Sequence, residues 1–155
     1  MTRALYPGSF NPFTRGHLDI VARALRMFDE IVICIGVNIH KPDSRSAAEQ
    51  TKRHLDTLFE GFPIHVVIND RLTIDMVRQW NAVCIIRGVR NVSDFEYEKT
   101  LAETNALIGE VETILLCARP SLGCISSSMV RELARFGHDT SQYLVSREDI
   151  MKMLD

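Results

Sequence analysis

Long hydrophobic runs are missing from this sequence of 155 residues. The longest, at 31–37, falls well short of the ~20 apolar residues that span a bilayer. No membrane partner is therefore expected. The first residues, 1–6, read as a strand rather than as a charged-then-apolar leader. Cysteine is sparse, and Cys34, Cys84, Cys117 and Cys124 form no C-x-x-C pair, which excludes a disulfide scaffold. Three of the four lie inside apolar runs, so buried free thiols in a reducing, cytoplasmic compartment are expected. Cys124 sits in a glycine-containing loop, with no base identified to make it a nucleophile. An excess of one charge is also absent: 18 Lys and Arg against 20 Asp and Glu leave −2 with histidines neutral. Without a basic excess no nucleic-acid partner is expected, and there is no acidic tail. Internal repeats, low-complexity tracts and Pro/Ser-rich linkers are missing, so 1–155 is read as one domain. Neither G-x-G-x-x-G nor G-x-x-x-x-G-K-[ST] occurs, which removes the dinucleotide and P-loop fingerprints.

What is present is an ordinary globular composition, 46% apolar and 25% charged. Short β-branched segments alternate with helical patterns. Strands are expected at 4–6, 30–37, 64–68, 82–87 and 112–118. Their near-continuous apolar character suits strands covered on both faces. Leu18, Val21, Ala22 and Leu25 fall on one stripe of a first helix. Ser46 with Glu49, and Ser93 with Glu96, read as capping boxes opening later helices. Further helices fit 74–80 and 128–135, and Ser146 with Asp149 marks a last one. This alternation predicts an α/β fold, a doubly wound five-stranded parallel sheet with right-handed crossovers. In such a sheet ligands bind beyond the carboxyl ends of the strands, so the loops after each strand become the candidates.

Four of those loops carry anion-binding chemistry. After the first strand, Gly8 permits a tight turn. Gly16 lets a phosphate approach a helix start, where His17 can donate into the same space. After the second stands Lys41, whose alternative is a solvated loop lysine. After the fourth come Arg87 and Arg90 around Gly88, with fork-like donors suited to phosphate. A salt bridge from Arg87 to Asp94 or Glu98 is the alternative. After the fifth, Ser126, Ser127 and Ser128 precede a helix, where hydroxyls and free N–H groups cradle anions.

Taken together, these residues resemble one family. Tyr6-Pro-Gly-Ser-Phe-Asn-Pro with Thr14-x-Gly16-His17 is similar to the T/H-x-G-H signature of nucleotidyltransferases. Ile86-Arg-Gly-Val-Arg-Asn, Asp94-Phe-Glu-Tyr-Glu98 and Ile125-Ser-Ser-Ser128 resemble the phosphopantetheine adenylyltransferases specifically, in order along nearly the whole chain. The resemblance implies a Rossmann-like nucleotidyltransferase fold. It also implies adenylyl transfer from ATP, with Mg²⁺, to 4′-phosphopantetheine. His17, Lys41 and Arg87 would be the catalytic residues, with Ser9, Phe10, His17, Gly88, Val89, Arg90 and Glu98 at the nucleotide. Leu122, Gly123, Cys124, Ile125, Ser126, Ser127 and Ser128 would wrap the ATP phosphates and adenine. Ser9, Lys41, Leu72, Thr73, Arg87, Leu101, Asn105, Glu132 and Arg135 would face the second substrate. No protein metal ligands are expected, and the resemblance implies a homohexamer. Asn11 stands where the family usually has aspartate. Segments 43–50 and 122–124 also depart from its pattern. Two alternatives stay open: a nucleotidyltransferase with another phosphorylated acceptor, and a non-catalytic nucleotide-binding domain.

Overall fold

The computed structural model describes residues 1–154. Strands and helices alternate as β1 (Arg3–Gly8), α1 (Arg15–Ala24), β2 (Glu30–Gly36), α2 (Ser44–Leu58), β3 (Ile64–Asn69), α3 (Thr73–Trp80), β4 (Cys84–Val89), α4 (Val92–Gly109), β5 (Glu112–Cys117), α5 (Ser127–Arg135) and α6 (Arg147–Leu154). The strands form one five-stranded sheet, all parallel, in the order β3-β2-β1-β4-β5. The doubly wound parallel sheet expected from the alternation is what forms.

Strand parity builds two cores. Ala4, Tyr6, Ile31, Ile33 and Ile35 point to one face, where they meet Leu18 and Val21 of α1, Leu55 of α2 and Ile150 of α6. Leu5, Val32, Cys34 and Ile85 point to the other, against Ile74, Met76 and Val77 of α3. This period of two, apolar on both sides, is why the strands read as continuous hydrophobic runs. Truncating a fully buried side chain such as Ile33 to alanine should cost about 2–5 kcal/mol.

Helix starts differ from two of the sequence expectations. The helix expected to open at Ser46 begins earlier, at Ser44 after Asp43. The Ser44 hydroxyl is occupied, accepting from the Asn38 backbone N–H at 2.7 Å. Ser93 is also not a cap. Asn91 takes that place, its side chain accepting from the Asp94 N–H at 2.8 Å. Asparagine is among the strongest N-caps, and its position two residues earlier wins. Ser146 and Asp149 do cap α6 reciprocally, at 2.8 Å and 3.2 Å. Cys34 and Cys84 are buried, and burial pushes their thiols up to about 12 and about 11. Cys117, expected inside, is exposed with Cys124, because β5 is an edge strand and Cys117 ends it. No helix among the described residues is long and apolar enough to cross a membrane.

Candidate active site

The sheet order turns on β1, which lies between β2 and β4. β1 pairs with β2 along its length, from Arg3 opposite Glu30 to Gly8 opposite Ile35. With β4 it pairs only at Ala4 opposite Cys84 and Leu5 opposite Ile85. Beyond that point the two strands part, at a topological switch of the kind where open α/β sheets bind ligands. A cleft of about 300 Å³ opens there, lined by the β1–α1 turn, the end of β4, the start of α4 and the start of α5.

The turn after β1 is built around Phe10. Its backbone is left-handed, with φ 48°, and its ring is 2% exposed. The ring packs edge-on to Tyr6 at 5.1 Å and to His17 at 5.0 Å between centroids. Gly8 lies directly beneath it. A Cβ at Gly8 would come within 2.9 Å of Phe10 Cζ, so any larger residue would have to displace the ring. Thr14 caps α1 in extended conformation, and its backbone N–H donates to His17 Nδ1 at 3.0 Å. An Nδ1 that accepts leaves the proton on Nε2, so the neutral ring is a hydrogen-bond donor in the cleft it lines. Burial, then the charges of Arg90 and Arg87, lowers the imidazole to about 4. His17 is therefore neutral at physiological pH.

Arg87 occupies the gap where β1 and β4 part. Its Nη1 donates to the Pro7 carbonyl, while Nε and Nη2 donate to the two oxygens of Glu98, each at 2.7 Å. Glu98 is 6% exposed and is the buried residue of α4. A buried carboxylate demands a cation, and a bidentate arginine meets that demand. The salt bridge weighed in the sequence therefore exists with Glu98 rather than Asp94. It does not consume the guanidinium: five N–H groups less the three engaged leave two. Asp94 instead holds Arg90, accepting from its backbone N–H at 3.1 Å and its Nε at 2.9 Å. Glu98 thus stands beneath Arg87 as its support.

The third wall is the start of α5. Ser126 caps it, its hydroxyl accepting from the Met129 N–H at 3.0 Å. Ser127 donates to the Pro12 carbonyl at 2.8 Å and so ties this wall to the β1 turn. Leu122, Ile125 and the three serines line the cleft with Ser9, Phe10, Gly88, Val89 and Arg90, whereas Gly123 and Cys124 are outside its lining. Arg131 was missed in the sequence. It lines the cleft, donating to the Asn11 carbonyl and to Ser128 Oγ. Its position one turn after Ser128 is the signal that could have found it.

A second cleft of about 620 Å³ adjoins the first across Ser9 and Arg131, and Lys41 lines it with Asn38, Asp43 and Thr51. Lys41 and Arg87 thus flank the β1 turn from opposite sides, as the strand order requires. Leu72, Thr73, Leu101, Asn105, Glu132 and Arg135 line neither cleft.

Residues 5–133 match the family model described as cytidylyltransferase-like. A phosphopantetheine adenylyltransferase of Porphyromonas gingivalis is 49% identical over 91% of this chain and 92% of its own length. One from Bacteroides thetaiotaomicron is 44% identical over 93% of this chain and 95% of its own. One from Levilactobacillus brevis is 38% identical over 94% and 91%. Among solved structures, a bifunctional NMN adenylyltransferase/ADP ribose pyrophosphatase from Francisella tularensis, complexed with AMP and a manganese ion, superposes with TM-score 0.66 at 18% identity. That match covers 94% of this chain and 44% of the bifunctional one, and it speaks for the fold alone. On the extent and identity of the sequence matches, this chain belongs to the phosphopantetheine adenylyltransferase family of cytidylyltransferase-like nucleotidyltransferases.

Proposed function

We propose that the chain transfers the adenylyl group of ATP to 4′-phosphopantetheine, giving dephospho-coenzyme A and pyrophosphate. The observation that carries the reading is His17. Its Nδ1 is tied to Thr14, which leaves a neutral Nε2–H donor in a cleft also lined by Arg87, Arg90 and the serine-rich start of α5. The phosphate of the acceptor is already a nucleophile, so no general base is required. Its oxygen attacks the α-phosphorus of ATP in line, the P–O bond to the β-phosphate breaks, and pyrophosphate leaves. The task of the protein is to hold two mutually repelling anions together and to meet the charge that develops.

In this reading Arg87, Lys41 and Ser9 hold the phosphate of the acceptor. His17 donates to the α-phosphate in the transition state. A neutral donor there neutralises no ground-state charge and strengthens as oxygen charge grows. Arg90, Gly88, Val89 and Phe10 take the nucleotide with Leu122, Ile125, Ser126, Ser127 and Ser128. Gly123 and Cys124, outside the cleft lining, belong to the same loop and complete the nucleotide side in this reading. Glu98 serves by holding Arg87. Leu72, Thr73, Leu101, Asn105, Glu132 and Arg135 take the pantetheine arm beyond the two clefts. Mg²⁺ arriving with ATP would offset the phosphate charge; among the described residues no cluster of three or more His, Cys, Asp or Glu side chains is placed to hold it.

A homohexamer in the cytoplasm completes the reading. Support for assembly comes from α4, which leaves Phe95, Tyr97, Leu107 and Ile108 exposed beside the edge strand β5. Exposed apolar side chains of this kind suit burial against a second copy of the chain. Pyrophosphate release measured across a panel of phosphorylated acceptors tests the substrate. Release with a mononucleotide or sugar phosphate in preference to 4′-phosphopantetheine would redirect the reading.

A further inference from the structure

We propose that Asp19 is a positioning residue, latching the loop 119–125 over the nucleotide cleft so that the loop keeps a fixed distance from His17. The proposal rests on the adenylyl-transfer reading for its consequence, and on geometry for the latch itself. Asp19 lies on α1 two residues after His17 and is 2% exposed. Its two oxygens serve different partners. Oδ1 lies 2.7 Å from Arg119 Nε, and Oδ2 accepts from Arg23 Nη1 at 3.1 Å. Arg23 Nη1 also donates to the Cys117 carbonyl at 2.8 Å. One buried carboxylate therefore pins both the last residue of β5 and the first residue of the loop against α1.

Apart from the packing of Ile125, which is 8% exposed, the loop has little else to hold it. Its backbone hydrogen bonds are local turns, Leu122 N–H to the Arg119 carbonyl at 2.9 Å and Ile125 N–H to the Leu122 carbonyl at 3.1 Å. Just before it, Ala118 N–H reaches the Val89 carbonyl at 2.8 Å. Among the described residues, Arg119 to Asp19 is the side-chain polar contact that ties 119–125 to the body of the fold. Leu122 and Ile125 line the cleft, and Ser126 follows as the cap of α5. A charge as buried as Asp19 is costly unless paired, which biases the loop toward the position that supplies Arg119. His17 and Asp19 share one helix, so the latch sets the nucleotide wall relative to the catalytic donor. The cations at the acceptor side, Arg87 and Lys41, sit on or after other strands and are untouched by it.

Arg119→Gln and Asp19→Asn test the latch by two readouts. The first is backbone hydrogen exchange without ligand. Amides of 119–125 should exchange about fivefold faster or more in both variants, with β1 amides unchanged. The second is steady-state kinetics. KM for ATP should rise by about fivefold or more with KM for 4′-phosphopantetheine unchanged, and the double variant should be no worse than either single one. The Arg119 side chain is 56% exposed, so Arg119→Gln keeps the test alive should Asp19→Asn fail to fold. Parental exchange at 119–125 in Arg119→Gln overturns the latch. So does faster exchange with a parental KM for ATP, or an equal rise in both KM values. A parent that releases no pyrophosphate overturns the functional reading instead, while the exchange rates still decide the latch.

Discussion

His17 Nδ1 lies 3.0 Å from the backbone nitrogen of Thr14, three residues before it. That bond fixes both the rotamer and the tautomer of the imidazole that lines the cleft between β1 and β4. His17→Ala should lower kcat by roughly 10²-fold, the scale of losing one transition-state donor. The far-UV circular dichroism spectrum should not change. A His17→Ala enzyme of parental kcat would remove His17 from the mechanism.

The lowered imidazole has a second consequence. Burial and the nearby arginines bring His17 from 6.5 to about 4 in the folded state. Between these values the unfolded chain binds a proton that the folded chain refuses, so stability rises with pH across this window. The contribution is complete above 6.5 and is lost as pH falls toward 4. The urea midpoint should drop between pH 7 and pH 4.5, and less steeply in His17→Ala. NMR should find the His17 ring neutral at pH 5.5, whereas titration near 6.5 would contradict the burial argument.

Arg87 and Glu98 should separate binding from stability. Arg87→Ala should weaken 4′-phosphopantetheine binding in calorimetry, with ATP binding less affected. Glu98→Ala leaves a largely buried guanidinium without its carboxylate and should cost roughly 3 kcal/mol in denaturant unfolding. Unchanged acceptor affinity in Arg87→Ala would take the phosphate away from Arg87.

Gly8→Ala is a steric test of the aromatic cluster. The added methyl would meet Phe10 Cζ at 2.9 Å, and the Phe10 ring is held in turn by Tyr6, Phe13 and His17. Overpacking of this kind costs about 1–3 kcal/mol. The shift should reach His17 and lower kcat as well as the melting temperature. Parental activity would mean that Phe10 can move without disturbing the imidazole.

The sheet was legible because its signal is local. Residues such as Ile31, Ile33 and Ile35 alternate with Val32 and Cys34, so both faces are apolar whatever the strand order. Strand order is not local. The parting of β1 and β4, which makes room for Arg87, follows from crossovers that no short segment encodes. That the loops carrying Gly16, His17, Arg87, Arg90 and the three serines meet at one sheet edge was legible from the alternation of strands and helices. The division of the edge into two clefts was not, because Lys41 and Arg87 reach the β1 turn from opposite neighbours. The choice between Asp94 and Glu98 as the partner of Arg87 also depended on fold. Asp94 lies in the first turn of α4, within reach of Arg90, while Glu98 lies one turn deeper and faces the end of β4. Caps were the least legible, since Asn91 and Ser93 are both good candidates and only one can start the helix.

The central claim is adenylyl transfer to the phosphate of 4′-phosphopantetheine. The direct test mixes the protein with ATP, Mg²⁺ and 4′-phosphopantetheine and follows products by mass spectrometry and a pyrophosphate assay. The account predicts dephospho-coenzyme A and pyrophosphate in equal amounts. ATP binding with neither product formed would contradict it.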